Sequence, residues 1–271
     1  MKRRPLDTAK FILRKILLLL LATIIIFPLF YMFTSSLFSA RDFNKIHFFP
    51  ENPVWANYLN VLSHKYFGTY IFNSVGTSIL AAIIRTTVTI FAAFAFTHLH
   101  FRGRNIIFTA LVLTLFVPQE AILYQNYRTV AALGLLDTWA GIICTSLFSA
   151  SHMLLLMGSF LEQDSSCYDA AQLDGASDMR YIWSVLVPLS APAILTVAIQ
   201  TLITTFNNYL WPLLVTNKTS TRTIQTGITM LGFAESGQLG SQMAALVLIT
   251  LPFIILLGFS KRRIEHALIR K

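Results

Sequence analysis

The stretch Tyr168-Asp-Ala-Ala-Gln-Leu-Asp-Gly-Ala-Ser-Asp-Met-Arg-Tyr-Ile-Trp-Ser-Val-Leu-Val-Pro188 is a polar segment between two long apolar runs. Ser166 followed three residues later by Asp169 forms a capping-box pattern, which predicts the start of a short helix. Gly175 stands where this helix should end, because glycine adopts the left-handed conformation at little steric cost. Ser177 can then cap a second helix that runs to the end of the segment.

Apolar runs make up most of the remaining chain. Of its 271 residues, 55% are hydrophobic and only 12% are charged, whereas soluble proteins average about 25% charged residues. About 20 apolar residues in a helix cross the hydrocarbon core of a bilayer. The composition therefore predicts an all-α membrane protein with six transmembrane helices. The runs are Leu13–Phe38, Ile71–Thr97, Ile106–Leu123, Trp139–Leu161, Val185–Val215 and Met243–Ser260.

Lys and Arg are distributed unevenly between the predicted loops. If both termini are cytoplasmic, the cytoplasmic segments hold most of the 21 Lys and Arg residues. The positive-inside rule therefore predicts this orientation, which places the loop 162–184 in the cytoplasm between the fourth and fifth helices. The same excess accounts for the net charge of +9, so the charge gives no reason to expect a nucleic-acid partner.

The polar segment resembles the Glu-Ala-Ala loop of bacterial ABC-importer permeases, which reads E-A-A-x3-G-x9-I-x-L-P. Asp169-Ala-Ala, Gly175 and Val185-Leu-Val-Pro188 match it at every spacing. Asp169 is one methylene shorter than the family's glutamate. The resemblance implies a cytoplasmic coupling helix that contacts an ATPase subunit. Its residues are Asp169, Ala170, Ala171, Leu173, Asp174 and Gly175.

A second resemblance lies in the predicted fifth helix. Thr204-Thr-Phe-Asn-Asn-Tyr-Leu-Trp-Pro212 is similar to the Trp-Asn-(Glu/Asp)-(Phe/Tyr)-Leu-Trp-Pro stretch of the carbohydrate-importer branch, of which the maltose-type second permease is an example. Such polar and aromatic residues either line a substrate path or form interhelical hydrogen bonds and interface anchors. The candidate substrate-path residues are Arg85, Gln119, Glu120, Asn207, Asn208, Tyr209 and Trp211.

The resemblance implies the transmembrane permease subunit of an ATP-driven importer for sugars or oligosaccharides in the bacterial cell (inner) membrane. It implies a second related permease, two ATP-binding subunits and an extracellular or periplasmic substrate-binding protein as partners. Residues 1–70 would hold the N-terminal tail, the first helix and an outer loop, and residues 71–271 a five-helix core. The alternative is an ion-coupled secondary transporter, which would need an inverted repeat or an ionisable relay in the spans.

Motifs for chemistry are missing from the sequence. A nucleotide-binding G-x4-G-K-[ST] motif is absent, since Phe233 stands where Gly227 and Gly232 would require a lysine. The six His residues form no H-E-x-x-H pattern, and Cys144 and Cys167 lack the spacing of a zinc site. We therefore expect no enzyme activity, metal site or cofactor in this chain, with ATP and Mg bound by the partner ATPases.

Arg85 is the only charge well inside the second predicted helix. A guanidinium at the bilayer centre costs about 2.5–3.5 kcal/mol on insertion scales, so it should face protein or water. Three hypotheses remain open. Arg85 pairs with Glu120, which lies at a similar depth; it lines the substrate path; or it bonds backbone carbonyls or a partner chain.

The Asp169 carboxylate should be needed for transport. Asp169→Glu restores the family residue and keeps an anion at the helix start, which is worth about 0.3–1 kcal/mol. We expect it to retain uptake, whereas Asp169→Ala removes the charge and Asp169→Lys reverses it, so both should lose uptake. The measurement is substrate uptake by the assembled transporter. Equal uptake by the three variants would contradict a role for this carboxylate.

Overall fold

The computed structural model describes residues 5–44, 48–164, 166–231, 233 and 237–252, and its regular secondary structure is helical throughout. The α-helices are α1 (Pro5–Ser35), α2 (Ala56–Leu62), α3 (Phe67–His98), α4 (Arg104–Leu113), α5 (Gln119–Ala132), α6 (Trp139–Ile143), α7 (Ala150–Leu161), α8 (Ser166–Leu173), α9 (Asp178–Tyr181), α10 (Val187–Leu189), α11 (Ala191–Phe206), α12 (Leu210–Val215), α13 (Ile224–Gly227) and α14 (Leu239–Pro252). Short 3-10 helices occupy Asp42–Asn44, Thr114–Phe116, Cys144–Ser146, Thr219–Thr221 and Ile228–Met230, and a π-helix spans Ile182–Leu186.

Two described helices are long and apolar enough to cross a membrane alone, namely Leu13–Ser35 within α1 and the whole of α3. Three further candidates are pairs of helices that bend at a short break. The bends are 108° between Arg104–Phe116 and α5, 56° between Trp139–Ser146 and α7, and 85° between Asp178–Leu189 and α11. If each pair is one span, the described part of the chain contains up to five.

The all-α membrane class is therefore confirmed, while the count of six transmembrane helices stays a prediction. The first part of the sixth predicted run, Met243–Ser260, lies within α14. Residues 253–260 of this run lie outside the described part of the chain.

The predicted runs Ile106–Leu123 and Val185–Val215 are not continuous helices. At the first break, Val117 and Pro118 have extended backbones, with ψ values of 114° and 133°. Proline lacks an N–H donor and disfavours a helical conformation in the residue before it, which explains why the helix stops there. Hydropathy registers the apolar composition of such a run but not the break.

The second broken run bends at Ser190, which has φ −98° and ψ 13°. Pro188 precedes this bend and Pro192 follows it, near the start of α11 where proline is tolerated. Pro188 cannot donate to the carbonyl four residues before it, and that carbonyl lies within the π-helix. The widened π turn and the bend are thus both next to a proline.

The chain divides into two compact units. One consists of Met1–Phe67 and Ile228–Lys271, and the other of Gly68–Gly227. In this grouping α14 lies with the N-terminal segment, and the division after residue 70 stays a prediction.

Packing within the first unit explains why α14 belongs to it. The Asn57 amide donates hydrogen bonds to the carbonyl oxygens of Ser36 and Phe38, at 2.9 and 3.0 Å. Gly240 at the start of α14 lies directly against this turn, since a Cβ there would collide with the Phe38 carbonyl and the Asn57 amide. The absence of a side chain at this glycine permits the close approach.

Asp137 joins the turn before α6 to the segment after α12. Its backbone is left-handed, with φ +58°, a conformation that Asp tolerates better than most residues. Its Oδ1 accepts hydrogen bonds from the N–H groups of Asn217 (2.6 Å) and Lys218 (2.7 Å) and from the Thr221 hydroxyl (3.1 Å). These hydrogen bonds hold the pKa of the Asp137 carboxyl below its usual value, and the bond from the Lys218 N–H has the largest effect.

Removing the Asp137 carboxylate should destabilise the protein. Asp137→Ala loses all three hydrogen bonds, and we expect a cost of about 1–2 kcal/mol because the site is solvent-exposed. Asp137→Asn keeps an acceptor oxygen and should lose less. The thermal unfolding midpoint of the purified protein measures both.

The pH dependence of this effect has a defined sign. Because the folded pKa is lowered, the carboxylate adds stability above the unfolded pKa of about 3.9 and loses it as pH falls through the lower folded value. The advantage of the native protein over Asp137→Asn should therefore vanish in strong acid. Glu162→Ala, which removes an exposed carboxylate, is the control, and an equal loss in it would refute the assignment.

Candidate functional site

A cavity of about 390 Å³ lies within the unit Gly68–Gly227, between α5, the beginning of α12 and the 3-10 turn after α6. Its walls combine apolar side chains with amide, hydroxyl and carboxylate groups, and such a mixture suits a ligand with both carbon faces and hydroxyls. The polar lining residues are Gln119, Glu120, Asn126, Thr129, Thr145 and Asn208.

Four of the seven predicted substrate-path residues line this cavity. Gln119 and Glu120 lie in the first turn of α5, directly after the break at Pro118. Asn208 lies in the break before α12, and Trp211 lies in the first turn of α12. The break brings Gln119 and Glu120 to a helix N-terminus, where an acidic side chain is favoured by the helix dipole.

Trp211 has a structural role in this site. Its side chain is only 4% exposed, and its indole N–H donates to the Gly141 carbonyl at 3.0 Å. Gly141 in turn lies so close to Leu135 that a Cβ would collide with the Leu135 carbonyl. The tryptophan therefore fixes α12 against α6, and the expected alternative of an interface anchor does not describe it.

Asn207, Tyr209 and Arg85 are not among the residues that line the cavity. The Asn207 side-chain oxygen accepts a hydrogen bond from the Gln225 amide at 3.2 Å, which connects the end of α11 to α13. Tyr209 is exposed beside the cavity residues.

Of the three hypotheses for Arg85, a bond to a backbone carbonyl agrees with the structure, and no ion pair with Glu120 forms in the described part of the chain. The Arg85 guanidinium donates instead to the Ser146 carbonyl, in the 3-10 turn where α6 ends and the chain bends. That carbonyl is available because the helix does not continue past it. Arg85 and Glu120 would lie at equal depth only if both helices were straight. The 108° bend instead redirects the residues after Pro118.

Residues 166–177 form the predicted short helix, glycine turn and second helix start. The capping box of Ser166 and Asp169 stays a prediction. The N–H of Ser166, the first residue of α8, donates to the Asp164 carboxylate at 3.0 Å. This hydrogen bond lowers the pKa of Asp164. Ser177 caps α9 as predicted, with its hydroxyl accepting from the Arg180 N–H at 3.4 Å.

The turn after α8 is a Schellman motif. Gly175 has φ +74°, its N–H donates to the Gln172 carbonyl, and the Ala176 N–H donates to the Ala171 carbonyl, both at 2.9 Å. These are the two hydrogen bonds that define the motif, and glycine is favoured at its left-handed position. Nothing in the described part of the chain lies within 4 Å of a Cβ added to Gly175.

One face of α8 packs on the protein and the other faces outward. Ala171 packs against a buried cluster that includes Phe94, Phe160 and Tyr181. Leu173 is 89% exposed, an unusual position for a leucine at the end of a helix. The remaining predicted coupling residues are also exposed, namely Asp169, Ala170, Asp174 and Gly175.

Sequence reasoning did not identify the aromatic contacts that hold α8. The Tyr168 ring lies 4.9 Å from the rings of both His98 and Tyr181, and its hydroxyl donates to Asp178 Oδ1 at 2.9 Å. His98 and Tyr168 are 70 positions apart in the sequence, so no short spacing could indicate this contact.

A membrane protein of apolar helices, with a polar cavity and an exposed connecting helix, has the architecture of a transport subunit. The chain belongs to the family of binding-protein-dependent transport system inner membrane components, which it matches over residues 86–270. It is therefore a transmembrane permease subunit of an ATP-driven importer and not an enzyme. The family favours this function over the ion-coupled secondary transporter.

Proteins with similar sequences align with almost the whole chain. The sn-glycerol-3-phosphate transport system permease protein UgpE of Yersinia pestis bv. Antiqua (strain Antiqua) is 29% identical, over 98% of this chain and 97% of that protein. UgpE of Rhizobium meliloti (strain 1021) is 28% identical over 87% and 86%, respectively.

Two solved structures share the fold. A chain of a bacterial ABC transporter involved in the import of the acidic polysaccharide alginate aligns with a TM-score of 0.87 and 22% identity, over 97% of this chain and 99% of that chain. A chain of the bacterial alginate ABC transporter in complex with its alginate pentasaccharide-bound periplasmic protein aligns with a TM-score of 0.63 and 19% identity, over 94% and 97%.

Replacing Gly175 should impair transport through the backbone of this turn. In Gly175→Val the left-handed conformation costs about 1–2 kcal/mol, so the Schellman motif should open and transport should be uncoupled from ATP hydrolysis. Gly175→Asn is the matched control, because Asn tolerates this conformation. Uptake and substrate-stimulated ATPase activity of the assembled transporter measure the effect. Normal values for Gly175→Val would refute the prediction, and equal losses in both variants would indicate obstruction by any side chain.

Proposed function

We propose that this chain is one of the two membrane-spanning subunits of an importer for hydroxyl-rich solutes, such as sugars, oligosaccharides or sugar-related polyols. The amide, hydroxyl and carboxylate groups of the cavity support this substrate class, since each can hydrogen-bond a hydroxyl group. Gln119, Glu120 and Asn208 are the residues that we expect to contact the solute. The relatives' names support the class, because glycerol phosphate and alginate both carry hydroxyl groups.

We further propose the assembly that the family description and the sequence suggest. A second, related permease would complete the transmembrane pathway, two ATPase subunits would bind ATP and Mg, and a substrate-binding protein would deliver the solute. The match to a binding-protein-dependent family and the solved complex of a similar transporter with its periplasmic protein support these partners. The distribution of Lys and Arg supports cytoplasmic termini, and the six apolar runs of the sequence support six transmembrane helices.

The observation that carries the coupling role is the exposed end of α8. An 89% exposed leucine beside a Schellman turn is a small apolar knob on a polar surface. We infer that Leu173 enters a groove of an ATPase subunit and that Asp169 and Asp174 surround this contact. Closure of the ATPases on ATP would then move α8 and expose the cavity alternately to the two sides of the membrane.

Leu173→Asp should weaken the association with the ATPase subunit without reducing the yield of the permease. Burying a leucine side chain is worth about 1.5–3 kcal/mol, so we expect about ten- to a hundredfold weaker association. The test is affinity purification of the tagged full chain, co-expressed with its ATPase, permease and binding-protein partners, followed by quantification of the bound ATPase.

Leu59→Asp is the matched control, because Leu59 is an exposed leucine in α2, away from the coupling segment in sequence. It should retain the ATPase. Co-purification of the native chain without any ATPase would refute the proposed function as a whole. Undiminished association of Leu173→Asp would refute only the role of this residue.

A further inference from the structure

Four aromatic side chains from three helices surround the point where α8 meets the rest of its unit. Phe94 and His98 come from α3, Tyr168 from α8 and Tyr181 from α9. All six pairs of these rings are in contact, with centroid distances between 4.9 and 6.4 Å. We call this group the aromatic tetrad.

Two members of the tetrad also form hydrogen bonds to residues outside it. The Tyr168 hydroxyl donates to Asp178 Oδ1 at 2.9 Å, and this bond links α8 directly to the first residue of α9. Burial and the neighbouring Asp178 raise the pKa of Tyr168, so the phenol keeps the proton that it donates. On α3, the Thr97 hydroxyl and His98 Nδ1 are 2.7 Å apart, which fixes the orientation of the imidazole.

A continuous packed path leads from the tetrad toward the cavity. Tyr181 is only 2% exposed and immediately precedes the π-helix Ile182–Leu186. Ile182 and Leu186 pack in one buried cluster with Val197 of α11. α11 ends at Phe206, two residues before Asn208 of the cavity wall. A displacement of Tyr168 can therefore reach Asn208 through α9 and α11.

We propose that the aromatic tetrad is the joint that transmits the motion of α8 to the cavity, with Tyr168 and Asp178 as its positioning residues. The inference rests on the proposed coupling function of α8. Contact alone does not establish energetic coupling, so the test must measure a response at the cavity to an event at the ATPase.

The two cysteines of the chain provide that measurement. Cys144 lines the cavity, whereas Cys167 lies in α8 next to Tyr168. Cys167→Ser leaves Cys144 as the single thiol of this chain. In the assembled transporter in nanodiscs, the rate at which N-ethylmaleimide modifies Cys144 is measured by peptide mass spectrometry, without nucleotide and with ATP, Mg and vanadate.

We expect the two nucleotide states to differ by about fivefold or more in the Cys144 rate, the range of typical allosteric coupling. Tyr168→Ala should reduce the difference to less than about twofold while the ATPase stays bound. Met179→Ala, which truncates an exposed α9 side chain outside the tetrad, should preserve it. A full response in Tyr168→Ala with the ATPase bound would overturn the proposal.

Conservative variants test the joint where truncation prevents assembly. Tyr168→Phe keeps every ring contact and removes the hydroxyl–carboxylate bond, which Asp178→Asn weakens. Each should therefore leave a nucleotide response between the native value of about fivefold and the limit of about twofold expected for Tyr168→Ala. The double variant should be no worse than either single variant, because both remove one interaction. Additive losses, or no loss in Tyr168→Phe, would overturn the proposal. A native transporter whose Cys144 rate ignores nucleotide would instead refute the proposed function.

Discussion

Satisfying backbone hydrogen bonds at helix breaks is the constraint on which much of this structure depends. A break inside an apolar helix frees carbonyl and N–H groups that lipid cannot solvate, so protein groups must bind them. Arg85 donates to the Ser146 carbonyl where the helix α6 ends, and the Trp211 indole donates to the Gly141 carbonyl one turn earlier. Arg85 and Trp211, two of the predicted substrate-path residues, therefore donate hydrogen bonds to backbone carbonyls near a helix break.

The breaks also create the cavity. A straight helix through Pro118 would carry Glu120 along the helix that contains α4, whereas the 108° bend brings the first turn of α5 opposite the start of α12. A second interruption after Phe206 brings Asn208 to the opposite wall. Polar groups at the ends of short helices can face a shared space without distorting a continuous helix, and the cavity is built from such ends.

The helical membrane class and the glycine turn could be predicted from the sequence because both depend on local chemistry. Apolar composition predicts helices in a bilayer, and the Gly175 and Ser177 positions follow from turn and cap preferences. The bends could not be predicted, since hydropathy is averaged over a window that contains the helices on both sides of a bend. The hypothesis of a pair between Arg85 and Glu120 depends on straight helices, and the bend at Pro118 removes that condition.

Long-range side-chain contacts were the other part that the sequence could not predict. The hydrogen bond from the Ser166 N–H to the Asp164 carboxylate at the start of α8 is not indicated by any spacing in the sequence. The contact between Tyr168 and His98 joins positions with no periodic relation, and neither residue belongs to the Glu-Ala-Ala pattern. The residues of that pattern describe the exposed face and the turn of α8, whereas its packed face is specified elsewhere in the chain.

The proposed coupling role requires α8 to be held more firmly than the segments that bend. α8 has eight residues, too few to be stable in water without tertiary contacts. Tyr168 and Ala171 supply those contacts on one face, and the Schellman turn at Gly175 fixes the direction of the chain into α9. The π-helix and the bend at Ser190 interrupt regular helical hydrogen bonding farther along the same path. Motion applied at Leu173 should therefore rotate α8 and α9 together and change the angle at Ser190, and this change of angle would move α11.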